Sequence, residues 1–292
     1  MVDLATALFK TGAGLARSVP EPVAERAGRR LGQLVSLRPS AARRQVERNL
    51  RRVDPTLQGR ALDRAVRETF ASYARYWVES FRLPGTSVED LDAGFRYEGF
   101  EHLEAAVAQG NGVIMTIPHL GSWEWAGFWL SRVQNIPITV VVEPLEPPSL
   151  LEWFTELRAS FGMEVVPLGP AAGTACIRAL KAGGTLALLS DRDLTGDGPE
   201  VEFFGERTTL PAGPATLALR TGAPILPIGV YFDGDLRRGV VRPPIDTSRQ
   251  GKLRDDVARI TQSVAHELEE LIRPAPEQWH LLQPNWPSDR VG

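Results

Sequence analysis

The chain has little of several things that usually announce a protein's chemistry. One cysteine, Cys176, stands in 292 residues, which excludes a disulfide framework and a cysteine-built zinc site and fits a reducing cytosol. There are three lysines, Lys10, Lys181 and Lys252, so nearly all the positive charge is arginine, the side chain that grips phosphate bidentately. No run approaches the ~20 apolar residues of a membrane span, and the opening residues do not read as a signal peptide. A net charge of −3 argues against nucleic acid as a partner of the whole molecule. Gly-x-Ser-x-Gly, a P-loop and His-Glu-x-x-His are all missing, as are internal repeats and low-complexity linkers. With 43% hydrophobic and 24% charged residues, the composition is globular, not that of a disordered tail or a fibre.

What charge there is lies unevenly. Residues 1–60 hold twelve basic side chains against five acidic ones, a segment of +7, which leaves −10 on the remainder. Together with Leu4, Leu8, Phe9 and Leu15, this stretch reads either as a surface for an anionic membrane or as solvated helices packed on the body. Residues 1–83 read as helical. Phe70, Tyr73, Trp77 and Phe81 form a stripe at helical spacing that ends before Pro84-Gly85. The plainer meaning of the stripe is core; the alternative is a wall for an acyl chain.

From residue 110 the texture changes. Short β-branched runs at 112–117, 138–142, 163–166, 185–189 and 225–231 alternate with helical segments near 121–133, 148–161, 171–182, 212–221 and 252–272. This alternation predicts an α/β fold, a central and mostly parallel sheet flanked by helices. No hinge separates the two textures, so a single domain spanning 1–292 is expected: a helical, membrane-facing lobe at 1–83 on an α/β core at 95–292.

Ligands collect at the carboxyl ends of strands in such sheets. His119 follows the run ending Ile117-Pro118, with Gly121-Ser122 opening the next helix and Glu124 close enough to orient or charge-stabilise the ring. Glu143 follows Val140-Val-Val142, and Asp191 follows Leu188-Leu-Ser190, with Asp193 close behind. Any one acid alone reads as a loop residue or cap; three strands delivering His119, Glu143 and Asp191 to one edge read as a site. Arg158 reads as facing the same cleft, either to hold a phosphate or as a solvent ion pair. Residues 191–202 also match a calcium-loop spacing, set aside because its flanks are strand-like and not helical. Cys176, mid-helix among apolar neighbours, reads as inert, and His102, His266 and His280 have no setting like that of His119.

His119 to Glu124 resembles the His-x4-Asp/Glu motif of the glycerolipid and lysophospholipid acyltransferase superfamily. Arg158, Asp191-Arg-Asp-Leu-Thr195, Val201-Glu-Phe-Phe-Gly-Glu206, Pro211-Ala-Gly-Pro214, Thr221-Gly-Ala-Pro224 and Pro276–Trp286 then follow in the order of its lipid A lauroyl/myristoyl acyltransferase branch. Within that branch the chain is most similar to the phosphatidylinositol mannoside acyltransferases. The resemblance implies His119 as general base with Glu124 and Asp191 as its catalytic acids, and Glu143, Arg158, Arg192 and Asp193 at the substrates. It implies transfer of a long acyl chain, palmitoyl above all, from acyl-CoA to a sugar hydroxyl of a glycolipid, by a monomer held peripherally on the cytosolic face of the cell membrane. Neither a metal nor a cofactor nor an acyl-enzyme is required, acyl-CoA being a co-substrate. Oxyanion donors fall to the backbone near Gly121-Ser122 or to an arginine. A lysophospholipid or lipid A-like acceptor, an acyl carrier protein donor, and a dead lipid-binding protein are the rival readings. If Asp191 sits in a wet cleft, its replacement by asparagine is expected to leave stability unchanged.

Overall fold

Short apolar runs become strands here because both their faces are covered. The computed structural model describes residues 11–12, 14, 16–143 and 148–290; the Leu4, Leu8, Phe9 and Leu15 face lies outside them. The strands are β1 (Phe95–Glu98), β2 (Val113–Ile117), β3 (Ile138–Val142), β4 (Glu164–Pro167), β5 (Thr185–Leu189), β6 (Glu200–Phe203), β7 (Glu206–Thr209), β8 (Ile225–Asp233) and β9 (Leu236–Val241). Seven of them make one sheet in the spatial order β1-β9-β8-β2-β5-β3-β4. Only β8 and β9 pair antiparallel in it; every other neighbouring pair is parallel. β6 and β7 form a separate antiparallel hairpin. The α/β class with a mostly parallel central sheet is therefore as the alternation predicts. The strands that periodicity missed are β1, β7 and β9: β1 and β7 have four residues each and carry charge, and β9 opens on Leu236-Arg-Arg-Gly239, so none begins as an apolar β-branched run.

Ten described helices surround these strands. The first three are α1 (Glu21–Val35), α2 (Ala41–Val53) and the long α3 (Gly59–Arg82); α4 (Val88–Ala93) and α5 (Phe100–Ala108) precede the central strands. Then come α6 (Trp123–Arg132), α7 (Pro148–Ala159), α8 (Ala172–Lys181), α9 (Gly213–Thr221) and α10 (Leu253–Ile272). One core fills the space between the sheet and α8, α9 and α10, around Ile114, Leu186, Ile225 and Val264. A second lies on the opposite face under α6 and α7, around Met115, Phe128, Trp129 and Ile138. A third, smaller core joins α2 to α3 through Val46, Leu50, Val66 and Phe70. No helix of the described residues is long and apolar enough to cross a membrane.

The segment after α10 is irregular, yet it is tied down on three sides. Gln278 clamps β8, accepting from Phe232 N at 2.7 Å and donating to Phe232 O at 3.0 Å. Asn49 of α2 donates to Leu281 O at 2.7 Å, and Trp286 donates its indole N–H to Phe203 O at 3.2 Å. His280 is buried against α3, its Nε2 2.8 Å from Ser72 Oγ.

Burial, reinforced by the charge of His119 and opposed by Asp191, pulls the pKa of His280 down to about 3. An unfolded histidine takes up a proton near ~6.5. Between those values the unfolded chain binds a proton that the native chain refuses, so stability is whole above ~6.5 and is lost as pH falls below it. From pH ~7 to ~5 this residue is expected to cost about 2 kcal/mol. Urea unfolding at both pH values should show that loss, and His280→Asn should lose less by about that amount.

Candidate active site

The carboxyl ends of β2, β5 and β3, adjacent in the sheet, bring His119, Asp191 and Glu143 to one edge. The turn after His119 depends on Gly121, whose φ is +57° and where a Cβ would lie 2.3 Å from Val230 O. Only glycine adopts that conformation in that space. The turn is also pinned from outside: Gly121 N donates to Gln278 O at 2.9 Å and His280 N to His119 O at 2.7 Å. The Gly121 N–H, one of the expected oxyanion donors, is thus already engaged. Behind the turn, Ser122 donates to Glu79, a buried carboxylate on α3 that also takes Arg237 Nε at 2.5 Å. Burial raises the Glu79 pKa despite the arginine beside it.

Asp191 is wholly buried and saturated with donors. Its Oδ1 takes His119 Nδ1 at 2.7 Å; its Oδ2 takes His119 N at 3.0 Å and Trp279 Nε1 at 2.8 Å. An ionised carboxylate only accepts, so Nδ1 carries the ring proton and Nε2 keeps its lone pair. Burial would raise the Asp191 pKa, but the imidazole, the indole and the backbone N–H together hold it below the usual carboxylate range. The condition of a wet cleft is not met: Asp191 is dry, because Trp279 and Asn285, which donates to its carbonyl at 3.0 Å, cover it.

The other acids near this edge are paired with other partners than the imidazole. Glu124, expected to orient His119, instead pairs with Arg158 through two guanidinium nitrogens, Nε at 3.3 Å and Nη2, with Tyr76 Oη at 3.5 Å from the same carboxylate. The first turn of α6 carries it to the second core's face of the sheet, toward α7, where the Glu124–Arg158 pair and His119 line one cavity. Arg158 is accordingly committed to a buried carboxylate and not left open for a phosphate; burial alone would lower its pKa, and Glu124 raises it. Asp193 closes its own loop, accepting from Thr195 N at 3.2 Å and Gly198 N at 2.9 Å. Glu143 and Arg192 face each other at 3.7 Å on the open rim. Among the described residues no group of three or more acidic, histidine or cysteine side chains could hold a metal.

Two cavities meet at this edge, one on each face of the sheet, and His119, Glu143 and Arg192 line both. The first, ≈380 Å³, lies toward α8 and α9 among Val141, Leu168, Cys176, Ile177 and Leu217. Burial pushes the Cys176 thiol up, consistent with an inert wall residue. The second, ≈260 Å³, runs between the sheet and α3, α6 and α7, past Tyr73, Trp77 and Trp123 to Met115, Leu130, Met163 and Ile228. Both fall in or near the size range of small-molecule sites. The aromatic stripe of α3 divides: Phe70 is core, whereas Tyr73 and Trp77 face the second cavity. Trp123 stands edge-on to His119, ring centroids 5.6 Å apart.

Trp279, His280 and Asn285 lie in the Pro276–Trp286 stretch that carries the resemblance, but none of them was given a role in the site, and Tyr76 and Glu79 of α3 were not singled out.

The sequence profile described as "Bacterial lipid A biosynthesis acyltransferase" matches residues 5–288. The chain is 39% identical over 289 residues to a phosphatidylinositol mannoside acyltransferase of Mycolicibacterium smegmatis, covering 96% of this chain and 91% of that protein. It is 39% identical over 251 residues to one of Mycobacterium tuberculosis, covering 84% of this chain and 77% of that protein. Against a lipid A biosynthesis acyltransferase of Haemophilus influenzae the identity is 24% over 268 residues, 89% and 80% of the two chains. With a profile matched almost end to end and more than a third of its residues shared with full-length relatives, the chain belongs to the bacterial lipid A biosynthesis acyltransferase family.

Proposed function

We propose that the protein moves a long-chain acyl group, palmitoyl first among the candidates, from acyl-CoA to a sugar hydroxyl of a phosphatidylinositol mannoside. The acceptor follows the names of its relatives. The observation that carries the chemistry is the His119 Nδ1–Asp191 hydrogen bond at the mouth of two apolar chambers. A sugar hydroxyl is too weak an acid to ionise at neutral pH. His119 Nε2 takes its proton as the oxygen attacks the thioester carbonyl, and the Asp191 carboxylate stabilises the imidazolium that forms. The tetrahedral intermediate collapses with the coenzyme A thiolate as leaving group, so neither an acyl-enzyme nor a dedicated general acid is needed. The acyl chain lies in the second chamber, whose inner wall is core-like, and the polar rim of Glu143 and Arg192 receives the headgroups.

The enzyme works at the cytosolic surface of the cell membrane, held there by α1 and the turn after it. Leu31, Leu34 and Leu37 are each more than 60% exposed, next to the exposed Arg26, Arg30 and Arg38. Arg43 and Arg52, by contrast, serve the fold: Arg43 pairs with Glu47 and Asp63, Arg52 with Glu206 and Asp289.

His119→Ala should lower turnover by ~10²–10⁴-fold or more and cost about 1–3 kcal/mol of stability, because it takes the ring donor away from the buried Asp191 carboxylate. Near-normal release of coenzyme A by that variant would end the mechanism. Asp191→Asn should lose both activity and about 1–3 kcal/mol of stability, because an amide nitrogen would then face buried N–H donors. Glutamine at Arg26, Arg30 and Arg38 removes ~1 kcal/mol each of attraction to anionic lipid. Co-sedimentation with anionic vesicles should fall by about 100-fold in affinity and weaken with salt; unchanged binding would place the membrane surface elsewhere.

A further inference from the structure

Helix α6 leads away from His119 and is built mostly of large side chains: Trp123, Trp125, Phe128, Trp129 and Leu130. Two small residues interrupt them, Ala126 and Gly127, and both line the second chamber. Glycine is the least favoured residue but proline in a helix interior, so Gly127 must be explained by something other than the helix. The space its missing side chain leaves is bounded by one flexible neighbour: a Cβ there would lie 3.0 Å from Met163 Cε and 3.8 Å from Met163 Sδ. Met163 is buried and lines the same chamber. Gly127 lies about one turn beyond Trp123, or ~6 Å along the helix, and Trp123 is the residue edge-on to His119. Depth along α6 therefore measures distance from the reacting carbonyl.

We propose that Gly127, facing Met163, sets the length of acyl chain that the chamber admits. The proposal rests on the acyl-transfer reading above. A hydrocarbon chain has no polar groups to satisfy, so its fit is decided by volume alone, and a side chain at position 127 takes the volume of the chain's far carbons. Met163, unbranched and flexible, shapes the wall against whatever chain is present. Each buried methylene is worth about fourfold in affinity, so displacing three or four of them should cost on the order of 100-fold.

The test compares the full-length wild type with Gly127→Leu, Gly127→Ala and Met163→Ala, reading kcat/KM for octanoyl-, lauroyl-, palmitoyl- and stearoyl-CoA with one glycolipid acceptor. For Gly127→Leu the palmitoyl-to-lauroyl ratio should fall on the order of 100-fold while a shorter donor is used at near wild-type rate. Gly127→Ala should show the same shift at smaller size, and Met163→Ala the opposite shift, toward stearoyl. An active wild type whose variants keep its chain preference, or lose all donors in parallel, overturns this proposal and leaves the parent reading standing. A wild type that transfers none of these chains overturns the parent reading, and this one with it.

Discussion

A carboxylate with no water around it must be fully hydrogen-bonded or it will not stay ionised. Asp191 meets that requirement with three N–H donors drawn from two distant stretches of chain: ring and backbone of His119, and the indole of Trp279. The same three bonds that keep it charged also set the tautomer of His119 and dock the C-terminal segment on the turn that carries it. Charge, tautomer and chain path are one constraint. Remove the carboxylate, and each donor is left buried without an acceptor.

The sheet gives that constraint its use. Its edge divides the space around His119 into one chamber on each face, so the imidazole is reached from both sides of a rigid wall. The wall is stiff because β2 and β5 are paired along their whole lengths, Val113 against Thr185 through Ile117 against Leu189. The buried Glu79–Arg237 pair adds nothing dependable to stability, but through Ser122 it fixes the start of α6 relative to α3.

Strand–helix alternation was enough to read the class of fold and to find the residues at strand ends, since the central strands β2, β3, β5 and β8 are continuous apolar runs. The β6–β7 hairpin was not legible because its turn residues, Phe204 and Gly205, both have positive φ, and a phenylalanine there is no turn signal. Phe204 is held in that conformation by Glu269, which accepts its N–H at 2.6 Å, a tertiary contact that no local pattern announces. In the site, His119 and Asp191 were legible by position, whereas the partner of Glu124 was not. Spacing along a chain says that two residues are near, not which way a helix turns the nearer one. Trp279 and Asn285 were beyond reach for the same reason: their hydrogen bonds span 88 and 94 residues.

Those long spans carry a consequence for the order in which the molecule comes into being. During synthesis, residues 113–189 can pair as strands well before residue 279 has been made. Until then His119 and Asp191 stand uncovered, the acid wet, the turn unpinned at Gly121. The His119–Asp191 pair is thus completed last, by the segment made last among those that touch it, and a nascent chain released short of Trp279 would leave Asp191 without its indole donor.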